Sequence, residues 1–167
     1  MTESFDPTDV LRALETMPAE LRAAASRIDT SSWSTAPAAG GFSLVEQAWH
    51  LADLEREGYG ERIRRMLAEE NPLLADFDGE RVARERSYRT KSLQEGIAAF
   101  AVARAANVAL LRSLAPPLWE RSGRQEGVGI VALRDIPRMM QVHDAAHRGE
   151  IAALVSGTAT RGRPAWV

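Results

Sequence analysis

Val10, Leu14, Met17 and Leu21 recur three or four residues apart, the spacing that gathers apolar side chains on one face of an α-helix. Ahead of them, Asp6-Pro7-Thr8-Asp9 offers an N-cap, a proline at the first helical position and an acid in the first turn. The pattern predicts a helix to about Ile28, with Pro18 kinking it or starting a second segment. Residues 29–42, DTSSWSTAPAAGGF, have loop composition. Ser43 and Glu46 then form a capping box before Leu44, Ala48, Leu51, Leu54, Ile63, Met66 and Leu67, which predict a long helix to about Glu70, closed by Asn71-Pro72. Ser92 and Glu95 repeat the box, and Leu93, Ile97, Phe100, Leu110, Leu111 and Leu114 mark a third helix that Pro116-Pro117 ends. A last stripe, Leu133, Ile136, Met140, His143, His147, Ile151 and Leu154, predicts a helix starting between Ala132 and Pro137. It runs to about Ser156, where Gly157 suits the C′ position.

Two stretches resist this reading. Residues 72–91 carry a turn signal, Asp78-Gly79, and the mixed-charge run ERVARERSYRTK. They predict a short exposed helix or an extended surface connection, long for a compact domain. The segment LWERSGRQEGVGIVAL is rich in turn residues and accommodates a short hairpin before the last helix. Four principal helices predict an all-α four-helix bundle with a long connection between helices 2 and 3. It forms one domain over residues 1–157, and the aperiodic residues 158–167 are expected to be a mobile tail.

Composition narrows the function classes. The 167 residues are 45% apolar, 26% charged and only 6% aromatic, ordinary for one soluble domain and favourable to helices. A net charge of −2 gives no field for nucleic acid or an anionic membrane. Arg81, Arg84, Arg86, Arg89 and Lys91 are interleaved with Glu80 and Glu85 and read as a solvated face. No apolar run approaches a membrane span, and MTESFDPTDVL is unlike a signal peptide. The expected location is cytoplasmic. With no cysteine, disulfides, thiolate metal sites and a cysteine nucleophile are excluded, and any metal must use nitrogen and oxygen ligands.

The chain has three histidines, all at inward helical positions. His143 and His147 stand four residues apart, so their imidazoles project from one face and can share a metal ion. The zincin glutamate is absent, because Asp144 follows His143. His50, on the stripe of helix 2, can complete the set if helices 2 and 4 face each other. Three imidazoles leave positions open on a divalent ion, the pattern of a catalytic site, and nitrogen ligands favour zinc or nickel. The same three residues also read as hydrogen-bonded core histidines.

WHLADLE and, near the C-terminus, MQVHDAAHRGEI resemble the DinB/YfiT-like superfamily of bacterial four-helix proteins. The likeness extends to SLVEQAWHLADLE, to NPLLADFDGERVARERSYR and to LWERSG. It implies an up-down-down-up bundle, often a homodimer, with a metal bound by His50, His143 and His147. Such families frequently have glutamine where this chain has Glu150.

The resemblance orders the functional alternatives. A metal-dependent transferase comes first, with a low-molecular-weight thiol attacking an electrophilic small molecule, as in the bacillithiol and mycothiol transferases and a thiol-dependent isomerase of the superfamily. A metal-dependent hydrolase comes second, and a non-catalytic stress-related binding or dimerisation module third. No catalytic side chain is fixed by the sequence. Asp53 and Glu150 are weak candidates, Asp53 reading first as a carboxylate behind a histidine ligand, and Glu46 reads as a cap. Trp33 and Trp119 stand in loops that either cover the metal end or anchor the core, and Trp49 points away from His50. Arg138 and Arg148 read as exposed helix residues that could meet an anionic group.

Overall fold

The computed structural model describes residues 6–157; the tail expected over 158–167 lies outside them. Helix α1 spans Thr8–Ala25 and runs through Pro18, which is buried inside it. At its start, Asp6 Oδ1 accepts the Thr8 N–H at 2.9 Å. Its end is closed by Trp33, whose indole N–H donates to the carbonyls of Ala25 and Ile28 at 3.3 and 3.1 Å. Trp33 therefore anchors the loop 29–42.

The second long helix is one rod in three parts: α2 (Leu44–Asp53), a π-helical turn (Leu54–Tyr59) and α3 (Gly60–Ala68). Its capping box forms as read, with Glu46 Oε2 accepting the Ser43 N–H at 2.8 Å. Asn71 follows at φ +47° and turns the chain away. Helix α5 covers Leu93–Arg112 and α6 covers Ile136–Ser156, with Gly157 at φ +70°. Helix α2 packs mainly on α5, and α1 lies against both α5 and α6. Among the described residues no helix is long and apolar enough to cross a membrane.

The two ambiguous stretches meet. Residues 72–91 contain a two-residue strand β1 (Leu73–Leu74), a short helix α4 (Gly79–Glu85) and a 3₁₀ turn (Tyr88–Thr90). The hairpin ahead of α6 forms as β2 (Ser122–Gln125) and β3 (Gly129–Ala132), paired antiparallel from Ser122 with Ala132 to Gln125 with Gly129. Strand β1 adds parallel to β2, Leu73 beside Arg124 and Leu74 beside Gln125. The all-α expectation is thus amended by a three-stranded sheet, whose third strand comes from a distant segment too short to show periodicity.

The core has two apolar clusters. One gathers Leu14, Tyr59, Ile63, Met66, Val108, Leu111, Trp119 and Met140; the other gathers Met17, Leu21, Leu51, Leu93, Ile97, Phe100 and Ile151. Trp119 thus serves the core. Between the clusters, on the second rod, α5 and α6, the buried positions turn polar: His50, Asp53 and Glu55, then Arg104 and Asn107, then His143, Asp144 and His147. Arg104 holds this layer together. Its Nη1 and Nη2 bond the two oxygens of Asp144 at 2.7 and 2.9 Å, Nη1 also donates to the Leu14 carbonyl at 2.9 Å, and Nε lies 3.0 Å from Glu55 Oε1. Asn107 Nδ2 donates to Glu55 Oε1 and to its carbonyl oxygen. Burial disfavours the guanidinium charge, but Glu55 and Asp144 outweigh that and raise its pKa; burial raises Glu55, with Arg104 opposing. Removing one partner of a buried ion pair leaves the other charge uncompensated. Arg104→Met is therefore expected to cost about 3–5 kcal/mol of stability in denaturant unfolding; a loss under about 1 kcal/mol would contradict this role.

Candidate metal centre

The three histidines converge in the polar layer. Nε2 of His143 lies 3.3 Å from Nε2 of His50 and 3.1 Å from Nε2 of His147. All three side chains are buried, and their ligand atoms lie within 4.8 Å of one another. Two nitrogens held about 2.0–2.1 Å from one ion at a tetrahedral angle stand about 3.3–3.4 Å apart. The observed spacing therefore fits a shared divalent ion.

The protonation states suit the same role. Burial first, and the neighbouring His147 second, push the His50 pKa well below the usual imidazole value. Burial likewise lowers His143, helped by His147 and His50. Both rings are neutral at pH 7 and their lone pairs are available. At His147 the outer nitrogen sets the tautomer. Gln47 Nε2 donates to Glu150 Oε2 at 2.7 Å. A carboxylate only accepts, so the Gln47 amide must turn its Oε1 the other way. That oxygen accepts from His147 Nδ1, and Glu150 Oε2 lies 3.2 Å from the same nitrogen. With its proton on Nδ1, His147 points the lone pair of Nε2 at the other two rings.

His50 is positioned by shape. Its ring sits 5.2 Å from that of Phe42 and 6.0 Å from that of Phe77. A Cβ at Gly79 would overlap the imidazole Cε1 and lie 2.6 Å from Nδ1. The Asp78-Gly79 pair is therefore more than a turn signal: Asp78 caps α4 by accepting the Arg81 N–H, and the glycine lets α4 close over His50.

A family model described as the DinB superfamily matches residues 13–151. The chain belongs to the DinB superfamily. Comparison with curated proteins finds no match. Among solved structures the fold is similar to that of YfiT from Bacillus subtilis, a protein described as a probable metal-dependent hydrolase with an unusual four-helix bundle topology. The two share a TM-score of 0.83 and 23% identity over 94% of this chain and 91% of that one.

Within this DinB fold the other candidates take distinct places. Glu150 stands behind His147, as described. Asp53 faces Tyr88, Arg56 and Arg86; burial works against its ionisation, but these bonds outweigh it and lower its pKa. It ties α2 to the segment around α4. Glu46 caps α2 and meets Arg89 at 3.1 Å. Trp49 donates to the Ser92 carbonyl, and Arg148 bonds Glu20 and Thr16 on α1. Gln47 and Gly79 escaped the sequence reading. Gln47 was discoverable, because it lies one turn before Leu51 on the apolar stripe. Gly79 had no signal beyond its type.

Partners behind a metal-bound histidine typically govern affinity by about 10- to 100-fold. Gln47→Leu, which frees the His147 tautomer, and Gly79→Ala, which displaces His50, are each expected to weaken zinc binding by about that range. Titration against a chromogenic chelator measures it. Wild-type affinity in both variants would contradict the positioning described.

Proposed function

We propose that this DinB-superfamily chain is a divalent-metal-dependent hydrolase of a small molecule, with zinc or nickel held by His50, His143 and His147. The observation that carries this reading is the pocket beside the histidines. His50 and His143 form part of the wall of a solvent-open cavity of about 480 Å³, lined further by Leu54, Tyr59, Phe77 and Met139. A structural ion is normally enclosed by four protein ligands, whereas three ligands facing a pocket suit catalysis. A divalent ion bound there supplies Lewis acidity and makes water acidic enough to act as a nucleophile near neutral pH.

The chain's own residues do the rest. Burial keeps His50 and His143 unprotonated. Gln47 and Glu150 fix the orientation of His147. Hydrolysis is chosen over thiol transfer because it needs a single small-molecule ligand, for which a cavity of about 480 Å³ is ample. The description of YfiT as a probable metal-dependent hydrolase supports the same choice. The up-down-down-up helix course and the homodimer belong to this reading as what the family resemblance implies.

Zinc- or nickel-loaded protein should hydrolyse members of a panel of small aryl esters and anilides with no thiol present. His143→Ala should reduce the rate to that of the uncatalysed reaction. Turnover that begins only when a small thiol is added would identify a transferase, and no turnover with either would identify a binding module.

A further inference from the structure

The pocket beside the histidines contains two buried polar groups that the chain leaves incomplete. Arg62, on α3, is 5% exposed, yet its Nε has no hydrogen-bond partner among the described residues. Nη2 donates to the Ala75 carbonyl at 3.1 Å. The nearest carboxylate, Asp76, is 3.8 Å from Nη2 and its side chain is 72% exposed, so that pair is screened and weak. Gln125, on β2, is 6% exposed and its Oε1 likewise has no partner. Both residues line the pocket.

Leaving a buried polar group unsatisfied is costly, the more so on a charged side chain. Most such groups in folded proteins are completed by protein, water or ligand. Here burial acts against the Arg62 charge and lowers its pKa, but a guanidinium remains protonated at neutral pH. Its planar fork suits an oxyanion. Arg138, exposed on α6, adds a second positive charge to the pocket lining, against the single negative charge of Asp76.

The distances connect this end of the pocket to the metal centre. The Arg62 guanidinium carbon lies 5.6 Å from the centroid of the Tyr59 ring. The same ring stands 6.2 Å from that of His143, edge to face. Tyr59 thus neighbours both Arg62 and His143, and all three line the same pocket as His50.

We propose that Arg62, with Arg138 at the rim, forms an anion subsite, and that the substrate is a small molecule carrying a carboxylate or phosphate that this end of the pocket holds while the rest of the molecule faces the histidines. The subsite deepens the hydrolase reading and rests on it for the reaction. Binding is measured without turnover, so a protein that binds the anion but hydrolyses nothing would overturn the hydrolase reading and leave the subsite standing.

The test is calorimetric titration of the zinc-loaded full chain with benzoate, phenyl phosphate and the neutral benzamide. At least one anion should bind about tenfold or more tightly than benzamide, the scale of a charge-assisted hydrogen bond. The tighter anion names the substrate class. Arg62→Met should remove the preference while zinc content and the circular dichroism spectrum stay unchanged, and Arg138→Gln should reduce it. Anions that bind no better than benzamide would overturn the proposal. So would a preference retained in Arg62→Met, which would place the anion on the zinc ion itself; should that variant not fold, a preference undiminished in Arg138→Gln overturns it instead.

Discussion

The paired hydrogen bonds between Arg104 and Asp144 fix the rotation of α6 about its axis. Asp144 lies between His143 and His147 in the sequence and projects from the same inward sector of the helix. With its carboxylate clamped by a guanidinium from α5, the two imidazoles can only face α2, where His50 waits. Arg104 also reaches the Leu14 carbonyl on α1 and Glu55 in the π turn of helix 2. One buried side chain thus sets the relative position of all four long helices at the level of the three histidines.

The π turn belongs to the same arrangement. It carries Glu55 into the core, and the next turn brings Gly60 against the Glu55 carbonyl, where a Cβ would stand only 2.7 Å away. Such turns often occur at functional sites. Here it begins four residues after His50 and ends at Tyr59, whose ring neighbours both His143 and Arg62. The bundle therefore carries its three histidines in a polar layer between two apolar clusters, and the pocket opens from that layer along the side formed by α3, the sheet and α6.

Much of this was legible in the sequence, for physical reasons that vary by element. Strong apolar periodicity and capping residues located the four helices, and Ser43 with Glu46 formed the box they spell. The histidines were legible because charge-capable side chains at inward positions are rare enough to draw attention. Arg104, Asn107 and Glu55 obeyed the same rule: they continue the stripes of Phe100 and Leu51. They are harder to read because a charged residue in a surface-rich helix looks solvated until its partners are known. The third strand was hidden by its length, since two residues cannot show alternation. Gly79 and Arg62 were hidden because their roles depend on contacts between segments far apart in the chain. The pairing of a family match with 23% identity to a solved relative confirms the fold and leaves the chemistry to the residues themselves.

The arrangement turns on whether three convergent imidazoles hold one divalent ion. Elemental mass spectrometry on untagged protein, compared with His143→Ala and His147→Ala, tests it most directly. About one zinc or nickel ion per chain, lost in both variants, is the expected result. A wild-type protein that carries no metal and takes up neither added ion would contradict it, and the three histidines would then be core residues that bond only to their neighbours.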